Sequence, residues 1–110
     1  MSLSPAVHLI LVALADGEKH GYRIMQRIDE VTDGASRMGP GTLYGNLKRL
    51  LEDGLVAETE SRVDPALDDE RRRYYRLTVA GVRALEDESS RQKRLLDAAR
   101  RGLAKRAGSV

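Results

Sequence analysis

No constellation of side chains in this 110-residue chain reads as a catalytic or metal site. There is no cysteine and there are only two histidines, so a disulfide framework and a thiolate metal site are excluded. No glycine-rich phosphate loop follows a strand and no nucleophile is paired with a base, so the chain does not read as an enzyme and no cofactor or metal is expected. What remains is the stretch Met38 to Val56, MGPGTLYGNLKRLLEDGLV. Pro40 suits a first helical position and Gly39 its N-cap, Met38 and Leu43 form a hydrophobic staple, and Gly54 suits a left-handed residue beyond the C-terminus. Leu43, Leu47, Leu50 and Leu51 recur at helical spacing and predict one apolar face. The opposite face is Gly41, Thr42, Gly45, Lys48 and Arg49, with Tyr44 and Asn46 on the flanks and no acid before Glu52. Such a face can approach a phosphate backbone closely and send two basic side chains into a groove. The plainer reading is an amphipathic surface helix with a solvated Lys and Arg.

The elements that must position this helix follow from the rest of the chain. Charged residues make up 33% and hydrophobic residues 41%, and four tyrosines are the whole aromatic complement, so a core of Leu, Val, Ile, Ala and Met is expected in one domain of ordinary size. The net charge of +2 is a weak argument for nucleic acid, and charge has to be read locally. The run Ala6 to Ala15 is about half the length of a membrane span and has no basic segment before it. Together with the missing cysteines this points to a cytoplasmic protein, which would be nucleoid-associated only if it binds DNA.

Ala6 to Ala15 is apolar nearly all round, which predicts a helix with two partners. Its single histidine, His8, reads as a packed or edge residue rather than a metal ligand. Gly21 to Val31 is a second amphipathic helix that buries Ile24, Met25, Ile28 and Val31. Tyr22 in its first turn can donate to phosphate or pack its ring on the core. Thr32 to Arg37 is a loop. Leu55 to Ser61 and Arg72 to Leu77 read as two strands of a hairpin, with Tyr75 and Leu77 on one face. The hairpin tip, Arg62 to Arg71, holds Pro65 and the acids Asp64, Asp68, Asp69 and Glu70. Thr78 then caps a helix running to about Arg106, roughly 40 Å at 1.5 Å per residue. Val82, Leu85, Ser89, Gln92, Leu96, Ala99 and Leu103 give it a heptad seam with a polar middle, which requires a partner. The acids Glu86 to Glu88 are expected on a solvated face, and Arg100, Arg101, Lys105 and Arg106 form a basic tail.

Three helices, a two-stranded hairpin and a long last helix describe a mainly α fold, a winged helix-turn-helix over residues 1–78 followed by a dimerisation helix and basic tail over residues 79–110. The sequence also resembles the PadR family of transcriptional regulators, in its shorter form with a single final helix. The resemblance is carried by His20-Gly21-Tyr22, Pro40-Gly41-Thr42-Leu43-Tyr44 with Leu47, Arg49 and Leu50, Gly54-Leu55-Val56, and Arg73-Tyr74-Tyr75-Arg76-Leu77-Thr78 with Gly81. It implies a homodimeric repressor on an inverted-repeat operator in double-stranded DNA, released by a small apolar or aromatic effector. It also implies DNA contacts from the third helix, Tyr22 and the wing, carried by Thr42, Lys48, Arg49, Arg72, Arg73 and Tyr74, with Gly41, Tyr44 and Gly45 lining the approach. The final helix would pack on the first helix of the other subunit, placing Val7, Ile10, Leu11 and Leu14 with the seam of the last helix in the interface. The four acids of the wing tip depart from this pattern, because phosphate repels them. The rival reading is a winged-helix module that binds protein or RNA.

Overall fold

The computed structural model describes residues 3–59 and 73–108. Its elements are α1 (Pro5–Ala13), β1 (Lys19–His20), α2 (Gly21–Val31), α3 (Pro40–Glu52), β2 (Val56–Thr59), β3 (Tyr74–Leu77) and α4 (Val79–Gly108). The predicted hairpin is therefore part of a three-stranded antiparallel sheet in the order β1-β3-β2. Lys19 pairs with Tyr75 and His20 with Tyr74, while Val56 to Thr59 run against Leu77 to Tyr74. The hairpin tip, with Pro65 and its acids, lies outside the described residues.

Local chemistry sets the helix ends. Ser4 caps α1 by accepting the Val7 N–H at 3.2 Å, and His20 caps α2 by accepting the Arg23 N–H on Nδ1, also at 3.2 Å. In α3 Gly39 is the N-cap and Pro40 the first helical residue, as expected. Gly54 (φ 76°) closes it, with the Leu55 N–H returning to the Leu50 carbonyl at 3.0 Å and the Gly54 N–H to Leu51 at 3.2 Å. A residue with a Cβ would be strained at that φ.

The core is built by Ile10, Leu11, Ala13 and Leu14 of α1, Ile24 and Ile28 of α2, Leu43, Leu47 and Leu50 of α3, Val56 of β2 and Tyr75 of β3. Each fully buried Leu or Ile contributes about 1.5–3 kcal/mol of apolar burial. Ile10, Leu11 and Leu14 are thus enclosed within one protomer, which corrects their assignment to a subunit interface. α2, α3 and α4 of the same chain pack against their side of the helix, while Val7, Leu9 and Val12 stay half-buried. Lys19 is nearly buried as well, its ammonium held by the Asp16 carboxylate and the Gly17 carbonyl beyond the end of α1.

The start of α4 is fastened to the end of α3. Thr78 Oγ1 accepts the Gly81 N–H at 3.0 Å and donates to the Gly54 carbonyl at 2.6 Å, and the Thr78 N–H donates to the Leu55 carbonyl at 3.1 Å. A Cβ on Gly81 would lie 2.0 Å from that same Leu55 oxygen, so only glycine lets the helix come this close. Farther along, Glu88 is not on a solvated face: it is only 4% exposed. Its carboxylate accepts the Leu3 N–H (3.1 Å), Arg91 Nη2 (3.1 Å) and Gln92 Nε2 (3.0 Å). These donors, the Leu3 amide foremost, lower its pKa from the ordinary 4.5 to about 2.

Two outcomes follow from this packing. Gly81→Ala should cost roughly 1–3 kcal/mol in denaturant unfolding, because backbone rather than a side chain has to yield. Because the Glu88 pKa is depressed in the folded state, its stabilisation is complete above about pH 4.5 and is lost as pH falls toward about 2. Glu88→Gln should therefore flatten the loss of thermal stability across that acid window, and an unchanged acid profile would show that Glu88 does not govern it.

Candidate nucleic-acid interface

With its three leucines in the core, α3 turns Gly41, Thr42, Gly45, Lys48 and Arg49 to solvent, all of them exposed. Neither Lys48 nor Arg49 has an ion-pair partner among the described residues. The arginines of α2 are committed: Arg23 donates to Glu30 at 2.9 Å and Arg27 to the same carboxylate at 3.3 Å. The two arginines hold the Glu30 carboxyl below its usual range, Arg23 having the larger effect. The small residues Gly41 and Gly45 leave the first two turns of α3 without bulk. Asn46, on the flank, donates to the Thr42 carbonyl at 2.8 Å and so stays on its own helix.

Beside this face, the junction of α2 with the sheet carries an aromatic group that periodicity alone does not reveal. His20, the cap of α2, stacks on Tyr22 with ring centroids 6.5 Å apart and an interplanar angle of 13°. It meets Tyr74 edge-on at 5.7 Å and 77°. The β1–β3 pairing brings these rings together, because His20 lies directly opposite Tyr74. Tyr22 is 63% exposed, so its ring does not belong to the core. Tyr44 is 46% exposed, and its phenol lies against Gly21.

The wing root is less freely basic than its sequence suggests. Arg73, just before β3, donates to Glu58 of β2 at 2.8 Å, an exposed ion pair that neutralises its charge locally. Arg72 lies outside the described residues. Arg76, which the sequence reading left out of the contact set, is exposed on the same face of β3 as Tyr74. Strand alternation is the signal that could have found it.

On α4, Val82, Ser89, Gln92, Leu96, Ala99 and Leu103 are exposed, and Leu85 is partly buried against the core. Leu95 and Leu103 are each 66% exposed, and Val79 is exposed as well. Val7 is half-buried on α1. The long helix thus carries an apolar surface with no cover in its own protomer. Among the described residues no helix is long and apolar enough to cross a membrane.

A reading helix seated on a trihelical core, a strand pair beside it and a projecting last helix define the winged helix-turn-helix class. Residues 10–87 match the model of the transcriptional regulator PadR-like family, and the chain belongs to that family. It is 43% identical over 79 residues to a transcriptional regulator of Mycobacterium tuberculosis, a match covering 72% of this chain and 67% of that protein. It is 41% identical over 95 residues to a 37.1 kDa protein in a transposon of Streptomyces fradiae, covering 86% of this chain. The match takes in only 25% of that transposon protein's length. Among solved structures, PadR of Bacillus subtilis, crystallised in complex with operator DNA, superposes with a TM-score of 0.65 at 25% identity. That superposition covers 76% of this chain and 45% of the Bacillus protein.

The ion pair at the wing root yields a direct test. Glu58→Gln removes one negative charge beside Arg73, and duplex affinity at low salt should rise, with the gain shrinking as salt is added. Fluorescence anisotropy at several salt concentrations measures this; a loss of affinity would mean that Glu58 is needed to hold Arg73 in place.

Proposed function

We propose that this protein is a sequence-specific, double-stranded DNA-binding transcriptional regulator that acts as a homodimer on an inverted repeat and represses transcription. The observation that carries the reading is the outer face of α3: small at its start, basic in its middle, free of ion pairs among the described residues, and backed by a buried leucine face. Lys48 and Arg49 reach base edges in the major groove, and the Gly41, Thr42 and Gly45 side allows the backbone to come close. Tyr22, Tyr74 and Arg73 hold sugar and phosphate on either side of the reading helix. The operator-bound Bacillus PadR supports the same use of the fold.

The exposed apolar surface of α4 supports a homodimer in which it packs on α4 and the accessible side of α1 in a second copy. With Ile10, Leu11 and Leu14 inside the core, the contribution of α1 rests on Val7 and its half-buried neighbours. A two-fold axis through this contact presents two α3 helices to successive major grooves. Release by a small apolar or aromatic effector lodged between the copies completes the proposal. It rests on the resemblance and on the polar interruption at Ser89 and Gln92.

Selection of bound duplexes from a random pool tests the whole reading, and an inverted repeat is the expected product. On that duplex Arg49→Ala should cost about 1–3 kcal/mol, with little loss on random duplex, if the guanidinium reads a base in bidentate fashion. Arg73→Ala should weaken both duplexes alike and lower the salt slope by about one. Equal losses on both duplexes for Arg49→Ala would make Arg49 a backbone clamp. No binding by the unaltered protein would overturn the regulator reading. In sedimentation the intact chain should run as a dimer at micromolar concentration, and a soluble monomer would remove the proposed interface.

A further inference from the structure

The α3–α2 contact points to a role for Tyr44 other than touching DNA. A Cβ built on Gly21 would lie 2.2 Å from the Tyr44 hydroxyl oxygen, 2.7 Å from Cζ and 3.1 Å from Cε1. The ring therefore lies on the bare backbone of the first residue of α2, in space that any other residue at position 21 would fill. Gly21 follows His20, whose ring joins Tyr22 and Tyr74, so Tyr44 lands where α2, β1 and β3 converge. The Tyr75 phenol of the central strand is close enough to feel it: burial, then Glu58, then Tyr44 raise its pKa. One residue on the outer flank of α3 thus touches the start of α2 and reaches toward the middle of the sheet.

We propose that Tyr44 is a positioning residue for recognition: seated on Gly21, its ring fixes the angle of the reading helix relative to α2 and the wing, rather than contacting DNA itself. This rests on the duplex-binding function proposed above. The leucines of α3 hold the helix against the core but sit on one side of it, and a helix held by one apolar stripe can still roll or tilt within that contact. A ring wedged on the flank opposes that motion. Bidentate reading of a base tolerates little misplacement, whereas phosphate contacts tolerate more, so loss of the wedge should affect specific binding more than random binding.

The test is a double-mutant cycle on the intact protein with Gly21→Ala, Tyr44→Ala and the pair, read on a selected duplex and on random duplex. Gly21→Ala should still fold, since what has to yield is the far end of a half-exposed side chain. Each single variant should weaken selected-duplex binding by about tenfold and random-duplex binding much less, and the pair should lose no more than either alone, as expected for coupled partners. Tyr44→Phe keeps the ring and should bind like the unaltered protein. Two results would overturn the proposal. One is a Tyr44→Phe loss as large as that of Tyr44→Ala with a lower salt slope, the mark of a hydroxyl bound to phosphate. The other is additive losses in the pair. If the unaltered protein binds no duplex, the regulator reading falls and this proposal with it, an outcome distinct from either.

Discussion

The direction in which α4 leaves the domain depends on one close approach, the Leu55 carbonyl oxygen against Gly81. Thr78 ties the same point twice, through its amide to Leu55 and its hydroxyl to Gly54. The residues that end the reading helix are therefore the residues on which the long helix stands. In the proposed dimer, the separation of two reading helices is set by how each is joined to the helix that meets its partner, and here that joint is a few hydrogen bonds long. Its rigidity comes from backbone meeting backbone, with no side chain between them to change rotamer.

Charge is organised on the same principle of local commitment. A net charge of +2 predicts little, and the structure shows why it misleads: Arg23 and Arg27 are paired with Glu30, Arg73 with Glu58 and Lys93 with Asp97. Lys48 and Arg49 are left facing solvent without such partners among the described residues. A phosphate approaching α3 would therefore meet these two charges without a neutralising carboxylate beside them. Exposed pairs of this kind are worth little to stability. Their effect here is to neutralise part of the basic charge on α2, at the wing root and on α4.

Much of this was legible because it is written in short-range chemistry. The bounds of α3 followed from its cap, staple and turn glycine, which act within a few residues, and those of α2 and the outward face of α3 from the spacing of apolar residues. β1 escaped because two residues, Lys19 and His20, carry no periodicity; only their partner strand makes them a strand. The assignment of Ile10, Leu11 and Leu14 failed for a related reason: an all-apolar helix announces that it has neighbours on every side but not that they belong to the same chain. Glu88 read as solvated because nothing near it in sequence reveals Leu3, and the seat of Tyr44 on Gly21 pairs residues on separate helices. In each miss the deciding contact was distant along the chain.

That distance has a consequence in time. Leu3 and Glu88 are 85 positions apart, so their hydrogen bond closes a loop that takes in α1, α2, α3 and the sheet. The helices that build the core emerge first during synthesis and can pack on one another, whereas the Leu3 amide has no such acceptor until the first third of α4 has been made. A nascent chain lacking α4 would have a core but no clasp. The exposed apolar side of α4 is made after all the helices of the core, so the clasp at Glu88 and the surface beyond it wait on the same helix.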